Sequence, residues 1–367
     1  MNMILFFFLF ALLLISFHSL FYLRVIPKLL VIPLFAKLFT AFLVINLLFN
    51  LLYVVSRYSN AVPYHLHYLF SISIGISFVL LLYLILHEVL HLFHKGVRGI
   101  NESKRKFIKK SGDGAMFALS TAYLSTAIYE GSKEPVVNVV KVERFDFSIV
   151  QISDLHIGGL IDKEFVKNSV AKINALHPDI VFITGDIIDT AVASIRESIL
   201  ELNNIQSKHG IYFVLGNHEY FHNPLEIIDF LKKETKLQVL LNENSIIDAL
   251  KLNVVGVTDL FGYKINLLEP DICKAYKGIN PEYKTILLAH QPKFIEELGV
   301  FTPELILSGH THGGQIYPFN HLVKLQQPFV KGLHILPNSS AIYVNSGIGF
   351  WGPPMRLNSQ AEIAYLI

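Results

Sequence analysis

Residues 305–315 read Leu305-Ile306-Leu307-Ser308-Gly309-His310-Thr311-His312-Gly313-Gly314-Gln315. A short apolar run gives way to two imidazoles separated by one residue, with glycine on both sides. An apolar run of this length, bounded by glycine, reads as a buried strand. A strand that ends in histidines delivers chemistry at its carboxyl end, where open α/β sheets bind ligands. The same arrangement recurs upstream. Phe147–Ile152 is followed by Ser153, Asp154, Leu155 and His156. Ile180–Thr184 leads to Gly185, Asp186 and Asp189, and Ile211–Leu215 to Gly216, Asn217, His218 and Glu219. Thr285–Ala289 leads to His290 and Gln291. Val254–Val257 reads as a sixth strand, with Asp259 shortly after it. Helical patterns over Lys163–Leu176 and Ser194–Ser207 separate the first of these strands, and such alternation predicts an α/β domain with sheets covered by helices.

Asp154, His156, Asp186, Asn217, His290, His310 and His312 together suggest a metal site. Imidazole mixed with carboxylate suits Zn, Fe, Mn or Co, whereas an all-oxygen set suits Mg or Ca. Seven donors are too many for one tetrahedral ion and suit two divalent ions sharing a carboxylate. In an extended segment residues i and i+2 point the same way, so D-x-H and H-x-H each aim two donors at one place. The neighbouring glycines let backbone approach closely.

The series D-x-H, G-D-x-x-D, G-N-H-E, A-H-Q-P and G-H-T-H-G-G resembles the calcineurin-like metallophosphoesterases over about Phe145–Ile367. The tail Asn345–Arg356, N-S-G-I-G-F-W-G-P-P-M-R, and the basic lead-in Lys104–Lys110 are similar to the membrane-associated YkuE/YaeI-type branch. That branch often has Asp where this chain has Glu219. The resemblance implies a four-layer α/β/β/α sandwich of two mixed sheets with the metals at one rim. It implies Asp154, His156 and His312 on one ion, Asn217, His290 and His310 on the other, and Asp186 bridging both. His218 is then the catalytic histidine, free of metal, acting as general acid or transition-state stabiliser. Asp189 and Glu219 are expected either to orient these groups or to be solvated loop carboxylates. Asp259 is a rim or turn residue, and Trp351 lies in a fixed loop near the site or packs in the core. The implied activity is hydrolysis of a phosphomonoester, phosphodiester or pyrophosphate bond. A pair of ions about 3.5–4 Å apart clamps an in-line displacement in such sites.

The rest of the chain is far more apolar. Hydrophobic residues make up 52% and charged residues 16% of the 367, against about 25% charged in an average soluble domain. Met3–Tyr22, Leu29–Val55 and Leu66–Leu86 each have the length of a membrane span. The first lacks the basic start and cleavage site of a removed signal. Through Arg144 there are 14 Lys/Arg against 6 Asp/Glu, and from Phe145 onward 17 against 23. The basic excess concentrates in Lys95, Arg98, Lys104, Arg105, Lys106, Lys109 and Lys110. Such a loop is held on the cytoplasmic side and can touch anionic lipid, so the bilayer rather than nucleic acid is the expected partner. A fourth apolar run, Gly114–Tyr129, is about 24 Å long as a helix. If it crosses, all that follows lies outside the cytoplasm; if not, the domain lies inside. We expect it to cross. The expected layout is a membrane region of three to four helices over 1–130, a linker over 131–144 and the metallophosphoesterase domain over 145–367. A membrane setting makes a lipid-linked phosphate an attractive substrate. Cys273 is the only cysteine, which excludes an intramolecular disulfide and a thiolate metal cluster.

Two other readings compete. His87, Glu88 and His91 spell H-E-V-L-H, a zinc-protease pattern that on a helix puts both imidazoles on one face, with His94 one turn on. An intramembrane zinc protease would need another ligand, and Asp113 is the only tempting carboxylate. A binding module with a decayed phosphoesterase site is the third reading; that all seven ligand positions are filled weighs against it.

Overall fold

The computed structural model describes residues 3–29, 33–57, 62–96 and 101–367. Arg98, residues 30–32 of the second apolar run and residues 58–61 of the loop after it lie outside the described residues. The chain divides into two compact units, one of residues 1–129 with Gly352–Met355, the other of 130–351 with 356–367.

Four helices build the first unit: α1 Met3–Val25, α2 Pro33–Arg57, α3 Tyr64–Gly96 and α4 Glu102–Gly131. Pro27, in the short 3-10 turn Ile26–Lys28 after α1, cannot donate a backbone hydrogen bond, and Pro33 takes the first position of α2, where its missing N–H is harmless. Phe7–Lys28, Pro33–Ser56 and Tyr64–Phe93 are long and apolar enough to cross a membrane. Among the described residues α4 does not reach that apolarity, because Lys104–Lys110 and Asp113 occupy its first half. A buried polar cluster joins the three spans. Asn46 Nδ2 donates to Ser77 Oγ at 2.7 Å and lies 3.1 Å from His18 Nε2, while Asn50 Nδ2 donates to the same hydroxyl at 2.9 Å. In hydrocarbon such bonds act as helix–helix glue.

The second unit holds two six-stranded sheets. The first contains β1 Val136–Val140, β2 Ile149–Ile152, β3 Ile180–Thr184, β4 Ile211–Val214, β5 Leu237–Val239 and β12 Glu362–Leu366, in the order β1-β12-β2-β3-β4-β5. The second contains β6 Glu243–Ile247, β7 Leu252–Gly256, β8 Lys284–Leu288, β9 Leu305–Ser308, β10 Gly332–Ile335 and β11 Ala341–Val344, in the order β10-β11-β9-β8-β7-β6. Both sheets are mixed. β2 through β5 run parallel, as do β7, β8, β9 and β11, while β12 is antiparallel to β2, and β6 and β10 pair antiparallel at the far edges. Side-chain alternation makes the layers. On β3, Ile180 and Phe182 face the second sheet, where they meet Ile286 and Leu288 of β8; Val181 and Ile183 face outward to a core shared with α5 Lys163–Ala175 and α6 Val192–Leu200. Leu287, Ile306 and Ile342 build the outer core of the second sheet. The result is the expected four-layer α/β/β/α sandwich.

Two details differ from expectation. Residues 131–144, read as a linker, contain β1, which pairs in parallel with β12 from Val136 opposite Glu362 to Val140 opposite Leu366. Its partner lies over two hundred residues away, so nothing local marks it as part of the sheet. The helix expected over Ser194–Ser207 begins at Val192 and tightens to a 3-10 turn at Glu201–Asn204.

Candidate metal centre

The carboxyl ends of β2, β3, β4, β8 and β9 gather Asp154, His156, Asp186, Asn217, His218, His290, His310 and His312. The loops that carry them are tied together by backbone. Asp154 N donates to Gly185 O at 3.1 Å, His156 N to Asp186 O at 3.0 Å and Gly309 N to His290 O at 2.9 Å. The donors do not converge by the extended alternation inferred from D-x-H and H-x-H. Asp154, His156, Asp186, His310 and His312 all have positive φ, between 49° and 70°. Non-glycine residues seldom adopt this left-handed conformation, and clusters of them mark functional sites. Glycine is needed between them: a Cβ on Gly216 would lie 2.5 Å from Asp186 N and press on the Asp186 carboxylate, and one on Gly309 would press on Ser153 and Asp154.

Among the described residues, three groups of side chains could hold a metal ion, all at this rim: Asp154 with His156 and His312, Asp186 with His290 and His310, and His156 with Asp189 and His218. In the first, His156 Nε2 lies 3.0 Å from His312 Nε2, and Asp154 Oδ1 lies 3.5 Å from His312 Nε2 and 4.0 Å from His156 Nε2. In the second, His290 Nε2 is 3.2 Å from both Asp186 Oδ2 and Asn217 Oδ1. Asp186 Oδ2 is also 3.9 Å from His156 Nε2, which sets it between the two groups.

The chemistry of these donors fits a cation. His290 Nδ1 lies 2.6 Å from the carbonyl of Thr184, which can only accept, so Nδ1 carries the proton. Nε2 then turns a lone pair toward two oxygens, an arrangement stable only with a proton or a cation between them. Burial disfavours charge on His290, but Asp186 together with Asp154 and Asp259 pushes the imidazole well above its ordinary range; the field that draws a proton there also draws a metal. Burial likewise opposes ionisation of Asp186, yet His290 and His218 hold its carboxyl well below the usual range. Burial, and then the Asp186 carboxylate, push Asp154 up against the pull of His290. His310 falls to about 3 through burial and then His290, and burial also drives His312 well down, with His156 and Arg356 adding to it. Both imidazoles are therefore neutral and free to donate lone pairs at neutral pH. Buried carboxylates and unprotonated imidazoles at such density require positive charge.

The neighbouring carboxylates are neither solvated nor incidental. Asp189 Oδ1 bonds His218 Nδ1 and lies 3.4 Å from His156 Nδ1. His218 Nε2 is left pointing inward, 4.0 Å from Asp186 Oδ2. Glu219, fully buried, accepts from four backbone amides: Gly216 at 2.7 Å, Asp186 at 3.0 Å, Ile187 at 2.8 Å and Ile188 at 3.1 Å. Burial and then Asp186 push its carboxyl up to about 7, against those amides. Glu219 thus shapes the turn that presents Asp186 and joins it to the turn that presents Asn217. Asp259 is buried rather than on the rim. It accepts from Gln291 Nε2 at 2.8 Å and from Phe261 N at 2.8 Å, and burial pushes it up to about 6.

Sequence reading missed Arg356. Its buried guanidinium donates to the carbonyls of Ser346 at 3.0 Å and Gly347 at 3.1 Å, reaches Gly349 O, and lies 3.5 Å from His312 O. Burial lowers it to about 10, so it remains charged and locks the tail behind the His312 loop. A charged residue in a Gly/Pro-rich tail gives no local sign of burial.

His87, Glu88 and His91 all lie on α3, with the two rings stacked at 6.3 Å as the i, i+4 spacing predicts. His87 and His91 line a cavity of about 190 Å³ with Asp113, and Glu88 is not part of its lining. No third metal donor joins them among the described residues. Glu88, which a protease would need as its base, instead pairs with Lys28 at 3.2 Å and Arg24 at 3.3 Å. Among the described residues the zinc-protease reading therefore has neither a third ligand nor an available base.

The family pattern of the calcineurin-like phosphoesterases matches residues 147–314. An uncharacterised metallophosphoesterase of Helicobacter pylori is 37% identical over 316 residues, covering 84% of each chain. A transmembrane protein with a metallophosphoesterase domain from Bos taurus is 34% identical over 276 residues, 69% of this chain and 62% of that one. The UDP-2,3-diacylglucosamine pyrophosphatase LpxG of Chlamydia trachomatis is 25% identical over 331 residues, 71% of this chain and 98% of LpxG. With the two-sheet sandwich, the clustered donors and three helices fit to cross a membrane, this chain belongs to the calcineurin-like metallophosphoesterases, as a membrane protein and a phosphoester hydrolase.

Proposed function

We propose a binuclear site that hydrolyses a phosphoester or pyrophosphate bond in a lipid-linked substrate. Asp154, His156 and His312 would hold one divalent ion, and Asn217, His290 and His310 the other. The observation that carries this reading is Asp186 Oδ2, which lies 3.2 Å from His290 Nε2 and 3.9 Å from His156 Nε2, between the two donor groups. Mn, Zn, Fe or Co suits such a donor set. When bound, such ions polarise the phosphoryl group and activate water.

The chain's own residues supply the rest. Asp189 fixes His218 through Nδ1, so Nε2 faces the reacting group and can give its proton to the leaving oxygen. The third metal-capable group is better read this way. His156 directs Nε2 toward His312, and Asp189 bonds His218 through Nδ1 while standing 3.4 Å behind His156 Nδ1. Glu219 holds the turns that carry Asp186 and Asn217. LpxG is named for a pyrophosphatase reaction on a diacylated sugar nucleotide; that likeness and the three apolar spans support a lipid-linked substrate here.

We also propose that α4 crosses the bilayer and sets the domain outside the cytoplasm. Residues 114–129 carry no charged side chain, and Phe117, Leu119 and Tyr129 are exposed. Reconstituted full-length protein, stripped of metal and reloaded with Mn²⁺, should turn over at least one of a phosphomonoester, a phosphodiester and a pyrophosphate. Absence of turnover with every divalent metal would refute the assignment.

A further inference from the structure

We propose that Phe221 and Trp351 form the specificity wall of this site, and that the ester it takes carries an apolar chain on its leaving-group side. The inference rests on the metal-centre reading above and on His218 as proton donor. Both rings are about half exposed, Phe221 at 51% and Trp351 at 47%. Exposed apolar side chains scattered singly need no explanation, but these two rings flank one functional residue.

Phe221 ends the five-residue helix Asn217–Phe221, which begins with Asn217 and His218. Its ring lies 4.9 Å from the His218 imidazole and 5.0 Å, edge-on, from Phe261. The adjacent Tyr220 hydroxyl donates to Leu268 O at 2.9 Å and pins the helix end. Trp351 is fixed from the other side by Gln315, the last residue of the His310–His312 loop. Gln315 Nε2 donates to Trp351 O at 2.9 Å, and Trp351 N donates to Gln315 Oε1 at 3.0 Å. The indole stands edge-on to His218 at 6.4 Å. The helix bearing His218 and the tail segment anchored on Gln315 thus each present one aromatic ring beside the same imidazole.

Hydrolysis bonds a water oxygen to phosphorus as the bond to the leaving oxygen breaks. The leaving oxygen takes the Nε2 proton of His218, the water's proton is released to solvent, and His218 regains one from solvent, so the protons balance over the cycle. Whatever is attached to that oxygen passes Phe221 and Trp351. An anionic leaving group finds no partner in these rings, whereas an alkyl, acyl or prenyl chain covers them. The substrate class is therefore a lipid phosphate or a phosphoanhydride with a lipid leaving half.

The test uses full-length protein in lipid nanodiscs and a series of n-alkyl esters from methyl to octyl, below their micellar concentrations, in whichever ester class turns over. The readout is the slope of log kcat/KM against chain length rather than any absolute rate. Wild type should gain about two- to fourfold per methylene until the rings are covered. Phe221→Ser and Trp351→Ser should each at least halve that slope, with two metal ions per chain showing that each variant assembles. A flat wild-type series with turnover of the methyl ester overturns this inference and leaves the phosphoesterase reading standing. An unchanged slope in both variants also overturns it. No turnover of any ester in any divalent metal overturns the phosphoesterase reading, and this inference with it.

Discussion

Replacing Glu219 by Gln tests whether the carboxylate is a structural clamp. The carboxylate receives two amides on each oxygen, Gly216 and Asp186 on Oε2 and Ile187 and Ile188 on Oε1. A carboxamide of the same shape keeps one oxygen and turns an NH₂ toward the other pair, so two buried amides lose their acceptor. Each orphaned group costs about 1–3 kcal/mol. Because the turn can relax toward water, about 2–3 kcal/mol in total is expected. That loss is divided between fold and site. If all of it reached the metals, Mn²⁺ would bind about 30–150-fold more weakly; if all of it reached the fold, the domain would melt about 4–12 °C lower. Equilibrium dialysis against buffered Mn²⁺ and a thermal melt of the metal-free protein measure the two parts. Removing a negative charge near two cations would also weaken binding, but that part fades as salt screens it, whereas loss of the clamp does not. Affinity and melting temperature both unchanged would refute the clamp.

Gly216→Ala removes no ligand yet should cost at least about 100-fold in activity together with bound metal, because the new Cβ lies 2.5 Å from Asp186 N, a backbone atom with nowhere to move. Gly114→Ala, with nothing within 4 Å of its Cβ, is the control and should leave both unchanged. His218→Ala should keep two ions per chain and lower kcat by about 10²–10⁴-fold, whereas Asp186→Asn should lose metal as well as activity; equal metal loss in both would overturn the separation of roles. A reporter active only outside the cytoplasm, fused after Ile367, should be active if α4 crosses, and a cytoplasm-only reporter at the same position should then be silent.

Much of this architecture is legible in the chain because its parallel strands are buried on both faces. β2, β3, β4, β7, β8 and β9 are short apolar runs, and five of them end in Asp, Asn or His. The edge strands are not legible. β5 has three residues with Gln238 in the middle, and β6 opens with Glu243, Asn244 and Ser245; such strands face water and lose the apolar signal. β1 is apolar enough, but its partner β12 lies at the other end of the domain. The ligand types and their order were legible, while the backbone that aims them was not. Period-two spacing suggested an extended chain where the structure uses left-handed turns at Asp154, His156, His310 and His312. Glu219 had a readable signal: it stands three residues after Gly216 at a helix start, where a Glu side chain can reach back to the preceding amide. Arg356 had none, since its burial depends on carbonyls from Ser346, Gly347 and Gly349, and on the His312 loop.

The account depends on two ions sharing Asp186. Electron paramagnetic resonance of the full-length protein loaded with Mn²⁺ reads this directly, since ions about 3.5–4 Å apart through a common carboxylate are magnetically coupled. The wild type should bind two Mn²⁺ and show the broadened signal of a coupled pair, which Asp186→Asn abolishes. Two Mn²⁺ giving only the sharp six-line signal of isolated ions would contradict it.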